Sequence, residues 1–209
     1  INRGFNMDFY YSKGSASYAV HILLEDAGQS YNQIHIDLST GAQNERPYLE
    51  INPKGRVPSI VTEFGILTET PAILTYIAQL NPHKELLPTD PFLFAKGQSF
   101  NNYLSSTVHV AHAHKHRGSR WVDDRDAQAL MAKKVQTNMT LCAELIEKNL
   151  FTGPWVLGDQ YTICDPYLAL AYRWFEDDNV ELSRFEKLKK HNLAMRKRAS
   201  MQKILPFHS

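Results

Sequence analysis

The feature that most constrains this chain is a change of hydrophobic period near residue 81. Before it, short apolar runs alternate with longer amphipathic ones. "MDFYY" is brief and aromatic, while "SYAVHILLEDAG" spaces Tyr18, Ile22, Leu23 and Ala27 along one helical face and stops at Gly28. "YNQIHIDL" alternates apolar and polar residues as a half-buried strand does. "ERPYLEINPKG" is a short irregular helix closed by Pro53 and Gly55. "VPSIVTEFGILTE" reads as two strands about a tight turn at Phe64 and Gly65. "TPAILTYIAQLNP" is a helix with Pro71 in its first turn and Pro82 just beyond its end. The order strand, helix, strand, helix, strand, strand, helix predicts an α/β layer, a mixed sheet covered by helices, over residues 7–80. Residues 81–91, "NPHKELLPTDP", hold three prolines and read as a linker. Beyond them only helical periodicity remains, over 92–117, 124–151, 164–178 and 184–204, so residues 92–209 are expected to form an all-α helical bundle.

Charge and composition narrow the class. Lysine and arginine total 23 against 22 acids, a net charge of +1, which sets up no field to recruit nucleic acid or an acidic membrane. No apolar run approaches a membrane span and no signal peptide is expected, so the reading is a cytoplasmic protein. Cys142 and Cys164 match no zinc or redox spacing; both fall in helical patterns and read as small buried residues in a reducing compartment. Residues 1–6, "INRGFN", precede a methionine without any pattern and are read as an expression remnant.

Several short stretches carry chemistry or its scaffold. Val57–Pro58 enters a strand-like run, where proline marks an edge, a turn or, in a small fraction of X–Pro bonds, a cis peptide. Glu69 and Thr70 precede Pro71 at a helix start, where an acid suits the dipole, a threonine can cap, and free N–H groups suit a carboxylate. Thr162 and Asp165 form a capping box before an apolar helix, a structural device that leaves nothing over for catalysis. In "NNYLSSTVHVAHAHKHRGSRW", His109, His112 and His116 share a helical face while His114 points away. No acid or cysteine completes a zinc site there, so a solvated or pocket-lining histidine face is the simpler reading and no metal is expected.

Four of these stretches, in order and spacing, carry a family resemblance. "DFYYSKGSASYAVHI", "NPKGRVPSIV", "LTETPAI" and "GDQYTICDPYLALAYRW" resemble the active-site turn, the cis-proline segment, the acidic turn and the central-helix motif of the cytosolic glutathione transferases. The resemblance runs from Met7 to about Ile204. It implies a thioredoxin-like first domain, an all-helical second domain and a homodimer. It further implies that Pro58 is cis and that the backbone of Val57 pairs with glutathione. Glu69 and Thr70 would then hold the γ-glutamyl amine and carboxylate.

The resemblance also implies the chemistry. A thiol with a pKa near 8.5 is only a few per cent thiolate at pH 7, so the enzyme's task is to stabilise the thiolate. Bacterial beta-type members carry a cysteine where this chain has Ala16, so cysteine-based redox chemistry is not expected. Delta- and theta-type members place a catalytic serine directly after the glycine, where Ser15 stands. Ser15 is ranked first, Ser17 second and Tyr11 third, although such a serine most often merely caps a helix. His109 falls where the beta-type histidine reaches the sulfur. The loop "DLSTGAQNERPY" offers only Arg46 for the glycine carboxylate, so Arg46, Lys54 or Arg56 would take that role. The implied activity is conjugation of glutathione, as co-substrate, to a hydrophobic electrophile (a detoxifying reaction), in a pocket lined by the helix from Phe92 to Arg117. Glutathione-dependent disulfide or peroxide reduction and a non-catalytic binding module on the same fold are the alternatives.

Overall fold

The alternating runs of the first eighty residues pair as strands, as their period requires. In the computed structural model, which describes residues 7–208, they form β1 (Met7–Tyr11), β2 (Tyr31–His35), β3 (Ser59–Thr62) and β4 (Gly65–Thr68). The stretch 1–6, read above as an expression remnant, lies outside the described residues. The four-stranded sheet runs β2-β1-β3-β4, with β1 parallel to β2 and β3 antiparallel to both of its neighbours. Met7, Phe9 and Tyr11 are buried while Asp8 and Tyr10 are half-buried, the alternation of a strand with one covered face.

Two helices with matching apolar stripes pack on one another: α1 (Ser17–Ala27) buries Tyr18, Ile22 and Leu23, and α3 (Thr70–Leu80) buries Ile73, Leu74 and Ile77. α1 stops where the sequence says it should. Gly28 takes φ 67°, its N–H reaches Glu25 C=O at 3.2 Å and the Gln29 N–H reaches Leu24 C=O at 3.0 Å. A side chain there would be strained, which is why glycine ends the helix. The short α2 (Arg46–Leu49) buries Tyr48 alone. This is the expected thioredoxin-like layer.

One feature was not legible. By compactness the chain divides into a unit running to Pro88 together with the stretch from Arg196 onward, and a second unit from Thr89 to Met195. The expected continuous helix over 184–204 is two helices, α8 (Glu186–Arg196) and α9 (Ala199–His208), and the expected helical domain 92–209 gives up its last element to the first unit. The reason is a set of polar links to α1 that no periodicity displays. Arg198 meets Asp26 at 2.8 Å, Lys203 meets Glu25 at 2.6 Å, and the Tyr18 hydroxyl donates to Met201 Sδ at 3.6 Å.

At the centre of that seam His21 Nδ1 lies 3.0 Å from His208 Nε2 and His21 Nε2 lies 2.9 Å from the Tyr31 hydroxyl. Tyr31 donates to Glu25 Oε1, so it accepts from His21 Nε2–H, and in the neutral imidazole Nδ1 is left to accept from His208. Burial pushes the His21 imidazole down to about 4, with Glu25 opposing and Lys203 reinforcing the shift.

In the second unit, α4 (Pro91–Tyr103) is capped by Asp90, which accepts the Leu93 N–H at 2.7 Å. It passes through a π-turn at Leu104–Val108 into α5 (His109–Ala113), so the expected helix over 92–117 ends four residues early and His116 falls beyond it. α6 (Arg125–Leu145) is capped by Asp124 and ends in a second π-turn at Ile146–Leu150. α7 (Cys164–Asp177) is buried along most of its length. Its capping box closes: the Thr162 N–H donates to Asp165 Oδ2 at 2.7 Å and the Cys164 N–H to Thr162 Oγ1 at 3.4 Å. Asp165 does more than cap, because Oδ1 accepts the Val156 N–H at 2.9 Å and lies 3.0 Å from Nε2 of His191 on α8. Both side chains are fully buried. Cys142 and Cys164 are free and buried, and burial raises both thiols. Among the described residues no helix is long and apolar enough to cross a membrane.

Two outcomes follow from these buried groups. Asp165→Ala strands a buried imidazole and two backbone N–H groups, and denaturant melts should show a loss of about 3 kcal/mol or more. For His21 the folded value lies below the unfolded one near 6.5, so the unfolded chain takes up the proton first. The stability it protects is complete above about pH 6.5 and is lost as pH falls toward about 4. Chemical denaturation at pH 7 and pH 4.5 should show that slope, and His21→Asn should flatten it.

Candidate functional site

Sheet register gathers the candidate residues of the first unit. Tyr10 pairs with Ser59 and Ser59 with Thr68, so the end of β1, the start of β3 and the end of β4 lie side by side. Three connections leave that one edge: the serine turn after β1, the Val57–Pro58 segment before β3, and Glu69–Thr70 after β4. Their meeting is a consequence of antiparallel pairing on both sides of β3.

The serine turn is closed on itself. Gly14 takes φ 65° to reverse the chain, and the Ser15 carbonyl accepts the Tyr18 N–H at 3.1 Å as α1 begins. Ser15 Oγ lies 2.8 Å from Ser12 C=O and 2.8 Å from Ser17 Oγ, and it accepts the Ser17 N–H at 3.2 Å. A hydroxyl has one proton. Ser15 therefore donates to the Ser12 carbonyl and accepts from the Ser17 hydroxyl, which in turn accepts the Ser12 N–H at 3.4 Å. Ser15 is 8% exposed and Ser17 is fully buried. For Ser15 to donate to anything else, its proton must leave Ser12.

The second segment offers unpaired backbone. The Val57–Pro58 peptide is cis. Among the described residues no hydrogen bond engages the N–H or C=O of Val57, which is half-buried. Its approach is braced from behind: buried Asn52 donates to Arg56 C=O at 2.6 Å and to Ser59 Oγ at 3.2 Å. The Tyr48 hydroxyl lies 2.6 Å from the same carbonyl and 2.9 Å from the same serine. These two residues were missed by sequence reading. A lone aromatic in a polar stretch and an asparagine before proline were the available signals.

The third segment is strained. Glu69 takes φ 74° and ψ 120°, a conformation that costs a non-glycine residue about 1–3 kcal/mol and persists only where surroundings enforce it. Beyond it, the Thr70 and Ala72 N–H groups and the Thr70 hydroxyl have no partner among the described residues. Pro71 has no N–H, and the helix dipole adds to the positive potential of this start. Thr70 is 5% exposed. A carboxylate is the natural ligand of such a terminus. The Glu69 side chain is exposed and its Oε1 lies 2.5 Å from Lys54 Nζ, which also donates to Thr68 Oγ1 at 2.7 Å. Of the three cations considered for a glycine carboxylate, Lys54 is thus engaged with Glu69, and Arg46 is paired with Glu50 at 2.9 Å.

Tyr11 lies at the same sheet edge but its ring is turned into the core. It sits 5.6 Å from His21, 5.7 Å from His208 and 5.3 Å from His35, and burial raises its phenol. His35, exposed at the end of β2, is a further polar group at this edge that the reading of the following loop passed over.

His109 belongs to the second unit. Its ring stacks on Trp174 of α7 at 4.6 Å, and His112 stacks on the same indole at 5.1 Å. His112 Nδ1 reaches Asp178 at 2.7 Å, while His114 packs on Trp121. The histidine run is thus divided between two tryptophans. Among the described residues no group of three or more His, Cys, Asp or Glu is placed to hold a metal ion. The same unit holds a cavity of about 270 Å³ lined on α4 by Leu93, Lys96, Phe100 and Tyr103, and across from them by Leu145 and Leu157.

Known proteins match along nearly the whole chain. A family model described as "Glutathione S-transferase, N-terminal domain" matches residues 9–79. The chain is 28% identical over 202 residues to glutathione S-transferase GstA of Escherichia coli O157:H7, covering 95% of this chain and 97% of that one. It is 26% identical over 176 residues to the maleylacetoacetate isomerase of Pseudomonas aeruginosa, covering 77% of each. Among solved structures, a glutathione transferase homolog from Sulfitobacter with bound glutathione superposes with a TM-score of 0.92 at 40% identity, covering 95% of this chain and 96% of that one.

Proposed function

Because the chain belongs to the glutathione transferase family, a family of transferases, we propose that it binds glutathione along Val57, Pro58, Glu69 and Thr70 and conjugates the thiolate to a hydrophobic electrophile. The observation that carries this reading is the set of unpaired backbone and hydroxyl groups on one sheet edge. The N–H and C=O of Val57 suit the backbone of the cysteinyl residue, as an added strand would. The Thr70 hydroxyl and the free N–H groups of α3 suit the γ-glutamyl carboxylate, and Glu69 suits its ammonium. The solved Sulfitobacter homolog with bound glutathione supports the same ligand.

Ser15 is the thiolate's hydrogen-bond donor in this reading. Its proton turns from the Ser12 carbonyl to the sulfur, a better acceptor once charged, while the hydroxyl and N–H of Ser17 hold the oxygen in place. Ser17 acts through Ser15. The start of α1 adds its dipole, and each pKa unit gained is worth about 1.4 kcal/mol. The protein acts as a cytoplasmic homodimer with a detoxifying role, and light scattering tests the dimer.

The relatives named maleylacetoacetate isomerase favour a second reading, in which the thiolate adds to a double bond and is expelled after rotation. Conjugation consumes glutathione and isomerisation returns it, so the thiol balance during turnover separates the two.

Calorimetric titration with glutathione should show binding that Glu69→Ala weakens about tenfold or more. A folded wild-type protein that binds none would overturn the reading. Ser15→Ala should raise the bound thiol's pKa by about one unit and slow conjugation of an aryl halide about tenfold. An unchanged rate and an unchanged titration of thiolate absorbance would remove Ser15 from the chemistry.

A further inference from the structure

The contact that neither the fold nor the proposed activity accounts for is the one between Lys54 and the strained residue. Lys54 sits two residues past Asn52, in the segment that Asn52 and Tyr48 brace, and its own N–H donates to Asn52 Oδ1 at 3.2 Å. From there its ammonium crosses to the other side of the edge and donates to two consecutive residues, Thr68 Oγ1 at 2.7 Å and Glu69 Oε1 at 2.5 Å. The second of them is the residue whose backbone takes φ 74°. One side chain thus ties the segment leading into Val57–Pro58 to the segment leading into Thr70.

The tie is not there for stability. The Lys54 side chain is 44% exposed and that of Glu69 is 63% exposed, and such pairs contribute about 0–1 kcal/mol. What it does is fix a carboxylate. A free glutamate side chain has three rotors and no reason to face one ligand atom. Held through Oε1, Glu69 keeps Oε2 without a partner among the described residues, so one full oxygen remains to accept a ligand N–H.

We infer that Lys54 is a positioning residue for the amino end of the ligand: it holds the Glu69 carboxylate where that carboxylate meets the α-ammonium of the γ-glutamyl residue, and so selects ligands that carry this amine. The inference rests on the glutathione-binding reading above. It assigns Lys54 to the amino end of the peptide, in place of the glycine carboxylate for which its charge alone had suggested it. It also accounts for why the site tolerates a cation beside the acid that must bind a cation. The lysine occupies one oxygen and leaves the other.

The test compares two ligands on three proteins by calorimetry. The ligands are glutathione and glutaryl-cysteinyl-glycine, which lacks only the α-amino group. In the wild type the amine should favour glutathione. In Lys54→Met that preference should shrink by about threefold to fivefold, with the affinity for the glutaryl peptide nearly unchanged, and Lys54→Arg should restore most of it. The thermal midpoint of Lys54→Met should stay close to that of the wild type. Equal weakening of both ligands would mean that Lys54 meets a carboxylate or only supports the fold, and would overturn the inference. A preference that grows in Lys54→Met would mean that the lysine competes with the ligand's ammonium, and would also overturn it. A wild type that binds neither ligand fails differently, by removing the glutathione reading itself.

Discussion

The candidate site depends on β3 being antiparallel to both of its neighbours. With that pairing, the end of β1, the start of β3 and the end of β4 share one edge, and three segments that are distant in sequence become neighbours. A parallel β3 would send the Val57–Pro58 segment to the opposite edge. The side chains at this edge refine what the sheet provides. Asn52 and Tyr48 hold one approach, Lys54 holds another, and the serine turn holds itself.

The edge is also built largely from groups that cannot be mutated away. The Val57 N–H and C=O and the first N–H groups of α3 belong to the backbone, and they are left unpaired where most backbone groups are satisfied. An extended peptide with a carboxylate end matches that pattern, with main-chain pairing giving affinity and a few side chains giving selectivity. In the proposed reading the side chains that recognise the ligand are accordingly few and sit at the ends: Ser15 at one, Glu69 and Thr70 at the other.

How much of this was legible follows from the range of each signal. Local chemistry was readable. Gly28 ends α1, Pro71 starts α3, and the Thr162–Asp165 box opens α7, each because a handful of adjacent residues decides it. Pairings between distant residues were not. Nothing in "YAVHILLED" shows that His21 will meet His208, nothing in the capping box shows that Asp165 also meets His191, and the boundary after residue 195 follows from links of this kind. Lys54 is the instructive case. As a lone cation it was grouped with Arg46 and Arg56 by charge, whereas its partner is set by the chain path through Gly55 and by the strained turn at Glu69. The turn after Ala113 left no mark on the hydrophobic period, so the helix bearing the histidines was read as four residues longer than it is.

The return of α9 to α1 makes the first unit discontinuous along the chain, with the whole second unit inserted between its parts. On a ribosome the sheet, α1 and α3 emerge before the second unit, but the helix that covers the His21 face follows only after it. At about 5–20 residues per second, the intervening stretch takes roughly ten seconds to synthesise. Throughout that interval His21, Tyr11 and Tyr18 have their neighbours from the sheet and lack His208 and Met201. The nascent protein thus carries an uncovered aromatic face whose proper partner is still in the tunnel, and the second unit has time to fold before the first is complete.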